Sequence, residues 1–402
     1  MRISTVTLVV MLALSLLSDA YIYYVLRRGC RSGVPAMTQL VTAVVLYTVA
    51  AVALLLPRRS GSDEMLLVIM WLLFGFLSVY LAKYCFVIFD LVASIPSLFK
   101  RRRLKWLTVI GAIVSVVGFV LMWWGALINR FDLQVKEVEV EVAGLPASFD
   151  GMRIVQFSDL HLGTYGGDTV FVGRMVDEIN RLNPDIVFFT GDIVNRRSEE
   201  MLPFRNVLSR VHAPMGVFAI LGNHDYGDYS EWATPEAKEA NMQVLYDAFD
   251  SMGWHLLLND YEMLHVGADS VALIGVENIG DPPFKRYGNL YESYPTLSDS
   301  VTKILLSHNP AHWYHEVKPA GDVNIALTLA GHTHAMQMEM FGITPARLRY
   351  VTPMGLYANN DSSKQLYVNI GVGTVGLPMR IGADPEITLI TLKAAPHKSR
   401  LR

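Results

Sequence analysis

Four long apolar runs fill the first third of the chain, at residues 3–26, 37–56, 65–87 and 106–128. Each approaches or exceeds the roughly 20 residues that a helix needs to cross a bilayer core. The first run is longer than the apolar stretch of a cleaved signal peptide, about 7–15 residues, and three more come after it. Residues 1–130 therefore read as a transmembrane helical region, and the chain as an integral membrane protein whose first partner is the lipid bilayer. Four spans are expected. Three or five stay open, because 84–99 can also be read as an interfacial or re-entrant segment.

Loop charge orients these spans. Arg27, Arg28 and Arg31 follow the first, and Lys100, Arg101, Arg102, Arg103 and Lys105 follow the third. Only Arg2, Arg58 and Arg59 stand on the opposite side. The side richer in Lys and Arg faces the cytoplasm, so residues 131–402 are expected on the extracytoplasmic face of the cell (inner) membrane. Asp19 and Lys83 lie inside spans at similar depth and could pair, snorkelling to the interface being the alternative.

Beyond the helices the composition changes. Residues 131–402 carry 21 Lys and Arg against 33 Asp and Glu, and every histidine lies beyond residue 160. An acidic polar part gives no basic groove, so no nucleic-acid partner is expected. Both cysteines, Cys30 and Cys85, fall in the membrane region, which excludes a thiol nucleophile or a disulfide framework in the polar part.

The polar part reads as α/β. Residues 131–150 form a linker and a strand leaving the membrane, with Val135, Val138, Val140 and Val142 alternating against charged neighbours. Short apolar runs then alternate with helical patterns at 168–182 and 235–252, over a domain bounded at 151–393 and followed by a basic tail, 394–402. In α/β sheets the ligand crevice lies beyond the carboxyl ends of strands, and the polar clusters sit there. Asp159-Leu160-His161 follows MRIVQFS. Two residues apart on an extended strand, their side chains would face the same way. Gly191-Asp192 ends FFTGD, with a glycine that permits close backbone approach. Gly222-Asn223-His224-Asp225 and Gly331-His332-Thr333-His334 are four-residue signatures and far rarer by chance, and His308 follows another apolar run. Carboxylates, an amide oxygen and several imidazoles make a mixed nitrogen and oxygen environment suited to first-row divalent ions, Mn²⁺, Fe²⁺ or Zn²⁺, rather than Mg²⁺ or Ca²⁺. Two such ions about 3.5–4 Å apart suit displacement at phosphorus, through an acidified bridging water.

The order D-x-H, G-D, G-N-H-D, H, G-H-x-H resembles the calcineurin-like metallophosphoesterases. The resemblance implies a four-layer αββα sandwich of two mixed sheets. It implies one metal set of Asp159, His161, Asp192 and His334, and a second of Asp192, Asn223, His308 and His332, with Asp192 as the bridge. His224 is then the catalytic acid. FDGMRIVQFSDLHLG, GHTHxxQ, LYVNIGVGTVGLPMR and PEITLITL are similar to a membrane-anchored branch that includes UDP-2,3-diacylglucosamine hydrolase-like enzymes. One departure stands out: Ala335-Met336 replaces the Gly-Gly that usually follows GHTH. The expected function is a membrane-anchored phosphohydrolase acting on a phosphodiester or pyrophosphate of a lipid or nucleotide-sugar lipid. A phosphomonoesterase or protein phosphatase, and a non-catalytic membrane sensor with a retained metal site, are the alternatives. Arg347, Arg349 and Arg380 are candidate phosphate contacts, or simply surface arginines.

Overall fold

A computed structural model describes residues 5–282 and 284–395. The chain forms two compact units, one of the residues up to Leu127 together with Leu377–Met379, the other of Ile128–Gly376 and the residues from Arg380 on.

The membrane unit consists of α1 (Thr5–Gly29), α2 (Val34–Leu55), α3 (Asp63–Leu98) and α4 (Lys105–Leu127). All four are long and apolar enough to cross a membrane. Their outward faces expose side chains such as Leu17, Val41, Ile113 and Val116, as lipid contact requires. The segment 84–99 is not a separate interfacial or re-entrant piece. It continues α3, whose 36 residues span about 54 Å at the helical rise. Bonds to α1 and to the loop before α4 account for this: Tyr84 meets Ser15, and Asp90 accepts from Tyr21 and Arg103. Close packing of α3 on α4 needs Gly111, where a Cβ would collide with Phe89 Cβ, in line with the small residues that membrane helix contacts favour.

Asp19 resolves its two readings in favour of pairing. Its carboxylate accepts from Lys83 Nζ at 2.7 Å, Gln39 Nε2 at 2.7 Å, Tyr47 Oη at 2.8 Å and Tyr80 Oη at 2.7 Å. Four donors from two other helices satisfy a charge that would otherwise be costly in hydrocarbon.

The second unit is built on two six-stranded mixed sheets. In the first, β1 (Gln134–Val142), β12 (Glu386–Ala394), β2 (Arg153–Phe157), β3 (Ile186–Phe189), β4 (Val217–Ala219) and β5 (Trp254–Leu256) lie in that order. In the second the order is β10 (Gly355–Ala358), β11 (Gln365–Val368), β9 (Leu327–Ala330), β8 (Lys303–Leu306), β7 (Asp269–Gly275) and β6 (Asp260–Val266). Strands β2 to β5 run parallel, as do β7, β8, β9 and β11.

The core between the sheets joins Ile154, Phe188, Phe218 and Ile390 of one to Leu273, Leu306 and Leu329 of the other. Alternate residues Val155, Phe157, Val187 and Phe189 face the outer layer, where α5 (Val170–Arg181), α6 (Arg205–Leu208) and α7 (Pro235–Ser251) supply Met175, Leu208 and Phe249. Burial on both faces explains why these strands read as unbroken apolar runs. Over the second sheet the outer layer is thinner, with Trp313 and Val317 of a short helical turn beside Leu290, Tyr294 and Leu297 of a long loop. The valines of 131–150 lie in β1, paired in parallel with β12. Val138, Val140 and Val142 face the inter-sheet core, whereas Val135, three residues earlier, packs on the opposite side. The basic tail expected from 394 lies, from residue 396 on, outside the described residues.

Candidate metal centre

Parallel strands of both sheets end at one edge, and each delivers its polar cluster there. Asp159 and His161 follow β2, Asp192 follows β3, Asn223 follows β4, His308 follows β8, and His332 and His334 follow β9. Asp159, His161 and His334 place ligand-type atoms within 4.8 Å of one another, and so do Asp192, His308 and His332. All six are buried. Asp192 lies between the groups, its Oδ2 3.7 Å from His161 Nε2 and 3.3 Å from His308 Nε2.

The local backbone is not the extended strand end that alternation implies. Asp159, His161, Asp192, His332 and His334 all have positive φ, at 54, 45, 61, 76 and 49°. Their side chains converge because tight left-handed turns aim them, a conformation that persists at functional sites when the surroundings impose it. Gly191, at φ 95°, makes one such turn, and a Cβ there would lie 2.5 Å from Gly222 N.

Neighbouring groups set the orientation of the His308 and His332 rings, as ligating histidines require. His308 Nδ1 donates to the Thr190 carbonyl at 2.8 Å, leaving Nε2 toward Asp192. His332 Nε2 meets Tyr350 Oη at 3.1 Å, leaving Nδ1 3.2 Å from His308 Nε2. His161 Nε2 and His334 Nε2 face each other at 3.0 Å. Asn223 gives Nδ2 to Tyr229 Oη at 2.9 Å, and its Oδ1 is buried without a hydrogen-bond partner among the described residues. Opposed imidazole nitrogens and an orphaned amide oxygen are costly in a dry site unless cations lie among them. The donor set therefore fits a pair of divalent ions.

Electrostatics agree. Burial alone would raise the Asp192 carboxyl, but His308, His224 and His161 around it hold it well below the usual carboxylate range. Burial lowers the His224 ring below its ordinary value, with Asp192 and the Asn195 carbonyl pulling the other way. His224 Nδ1 lies 2.6 Å from Asn195 O, its ring stands edge-on to His161, and Tyr229 stacks on it.

Two residues act in ways that the sequence did not reveal. Asp225 accepts from the backbone N–H groups of Gly222, Asp192, Ile193 and Val194. Burial and the Asp192 charge push its carboxyl up to about 8, against the pull of those donors. Its place in the G-N-H-D tetrad was the only available signal. Arg380 is wholly buried and donates to the carbonyls of Ile370, Gly371, Gly373 and Ala383, with Nη2 3.3 Å from His334 Nδ1. It braces the loops that surround His334. Arg349 is paired with Asp281, and Arg347 bonds the Gly342 carbonyl. Of the three candidate arginines, Arg347 and Arg349 are thus exposed and Arg380 is buried.

Comparison with known proteins matches this geometry. Residues 152–336 match the family described as Calcineurin-like phosphoesterase, and residues 1–130 match Probable Calcineurin-like phosphoesterase, transmembrane domain. The chain is 31% identical over 274 residues to the uncharacterized metallophosphoesterase YkuE of Bacillus subtilis, covering 65% of this chain and 86% of that one. It is 31% identical over 296 residues to the transmembrane protein with metallophosphoesterase domain of Danio rerio, covering 72% of this chain and 63% of its relative. UDP-2,3-diacylglucosamine pyrophosphatase LpxG of Chlamydia trachomatis is 29% identical over 312 residues, with 67% and 93% covered. With a buried Asp and His centre at the meeting edge of two mixed sheets, and four membrane-type helices ahead of it, the chain belongs to the calcineurin-like metallophosphoesterases.

Proposed function

We propose that this phosphoesterase cleaves a phosphodiester or pyrophosphate bond carried on a membrane lipid from the extracytoplasmic face of the inner membrane, a nucleotide-sugar lipid such as UDP-2,3-diacylglucosamine being the substrate if the centre faces the cytoplasm instead. The observation that supports it most is Asp192 Oδ2, within 4 Å of one imidazole from each cluster. Asp159, His161, Asp192 and His334 would hold one ion, and Asp192, Asn223, His308 and His332 the other. Divalent ions there supply Lewis acidity toward phosphoryl oxygens and water of lowered pKa. The chain's own groups do the rest. His224 directs Nδ1–H to the Asn195 carbonyl, which leaves Nε2 as the atom that carries a proton to the leaving oxygen as the P–O bond breaks. An anionic phosphoryl group beside the ring raises its proton affinity, countering the effect of burial.

Full-length protein loaded with Mn²⁺ and offered monoester, diester and lipid-pyrophosphate substrates is expected to favour the last two. Asp192→Asn should lose turnover by orders of magnitude together with bound metal. His224→Ala should retain both ions by elemental analysis and slow turnover by roughly 10²–10⁴. Preference for a monoester would overturn the substrate class, and metal loss in His224→Ala would overturn its role as acid.

A further inference from the structure

Between His334 and Tyr350, two residues of the metal centre, the chain makes an excursion whose chemistry is the reverse of a surface loop's. Met338 pairs with Ile381, and Met340 with Ile343 through mutual backbone bonds of 2.9 and 3.0 Å. The two residues between them, Phe341 and Gly342, have φ of 54 and 77°. This is a two-residue hairpin with both turn positions left-handed, a geometry that selects Asn-Gly or Asp-Gly. A bulky aromatic at the first position is a conformational outlier, and no described residue covers it: Phe341 is 95% exposed. Seven residues on, Leu348 is 92% exposed at the end of the 3-10 turn Pro345–Leu348. Met340, Ile343 and Val351 are exposed beside them.

Neither local folding nor packing accounts for Phe341 and Leu348. Elsewhere in this unit, exposed large apolar side chains such as Val170, Leu202 and Val244 are scattered along the chain, as is ordinary for a globular surface. A concentrated exposed apolar segment marks a surface for a protein or a membrane. The base of this one is well held: Glu339 N donates to the Ile381 carbonyl at 2.8 Å, and Thr344 Oγ1 donates to the Ala335 carbonyl.

We infer that residues 338–351 form a bilayer-dipping loop, with Phe341 and Leu348 as the apolar tips and Arg347 at the level of the lipid phosphates. Two observations select a membrane over a protein partner. The chain carries its own bilayer anchor, with one residue, Ile128, between α4 and the first turn of the second unit, Asn129–Phe131. Exposed Arg347 beside the tips supplies the cation that anionic head groups attract. Because the loop begins and ends at residues of the metal centre, its insertion would bring lipid head groups to that centre. This last step rests on the proposed phosphoesterase function, whereas membrane contact itself does not.

The test uses full-length protein in lipid nanodiscs, with Cys30 and Cys85 replaced and one environment-sensitive fluorophore attached through Phe341→Cys, Leu348→Cys or, as control, Leu202→Cys. Blue-shifted emission at 341 and 348, quenched at least twofold more by nitroxide lipid than at 202, is expected. Emission like that at 202, or burial insensitive to the lipid quencher as a second copy would give, overturns the inference. In parallel, Phe341→Glu with Leu348→Glu should cut turnover of a vesicle-borne phosphodiester about tenfold and leave a small soluble phosphodiester unchanged. Equal loss on both would contradict a membrane role. A parent protein inactive on both would sink the functional reading, and the fluorescence would still decide the loop.

Discussion

Four backbone N–H groups end on the Asp225 carboxylate, three of them from the turn that carries Asp192. A buried donor left without an acceptor costs about 1–3 kcal/mol. Asp225→Ala strands all four, and even with partial relaxation should cost at least about 3 kcal/mol in denaturant unfolding of the detergent-solubilised protein. Because the freed turn carries Asp192, bound metal should fall as well, which elemental analysis would read. Unchanged metal content in a destabilised variant would separate Asp225 from the centre. The tetrad G-N-H-D was conspicuous in the sequence, and Asn223 and His224 could be given chemistry from their side chains alone. Asp225 could not, because its partners in the Asp192 turn are main-chain groups 31–33 residues away that no side-chain pattern reports. The same blindness applied to Arg380, whose acceptors are carbonyls.

Among the described residues, the turn after β9 carries the longest run of left-handed non-glycine backbone. His334, Ala335, Met336 and Gln337 follow one another with φ of 49, 50, 49 and 60°, four left-handed residues without a glycine. Left-handed backbone costs a non-glycine residue roughly 1–2 kcal/mol, and glycine's extra chain entropy costs roughly 0.5–1. Exposed Met336 therefore offers a net gain: Met336→Gly should stabilise by about 0.5–1 kcal/mol, a rise in melting temperature of about 2 °C for a unit of this size. Ala335→Gly should be near neutral, since its methyl is buried against Ile370 and Ala383 and losing it costs about 0.8 kcal/mol. A drop in melting temperature for Met336→Gly would show that the side chain, not the backbone, matters there. The absence of Gly-Gly was visible in the sequence, but not that the turn is kept without it. Elements legible from periodicity were α5, α7 and the buried strands, whose apolar patterns are local. The continuation of α3 was not, because residues 84–98 are held by bonds to α1 and to Arg103 in the loop before α4, and because Asp90, which looks like a break in an apolar run, is the residue that receives Tyr21 and Arg103.

At the scale of the whole molecule, sidedness decides which substrates the centre can meet. Eight basic residues flank the ends of the spans that share the first and third loops, against three on the other side, and four helices are long and apolar enough to cross. The proposed topology has four crossings, so the chain start and the phosphoesterase unit share a face, and the loop charge predicts that this face is the outside. Arg103 has a second task, its guanidinium reaching Asp90, but the remaining loop cations still outnumber those opposite. A nucleotide-sugar lipid is made in the cytoplasm, so an outward-facing centre would instead meet lipid pyrophosphates or phosphodiester head groups of the outer leaflet. Single cysteines at exposed Val170 and Leu202, in a chain with Cys30 and Cys85 replaced, should react with a membrane-impermeant maleimide that has access to the outer face of the intact inner membrane. Labelling only after that membrane is permeabilised would place the unit in the cytoplasm. It would also make a UDP-linked diacyl sugar, the substrate named for the chlamydial relative, the first to assay.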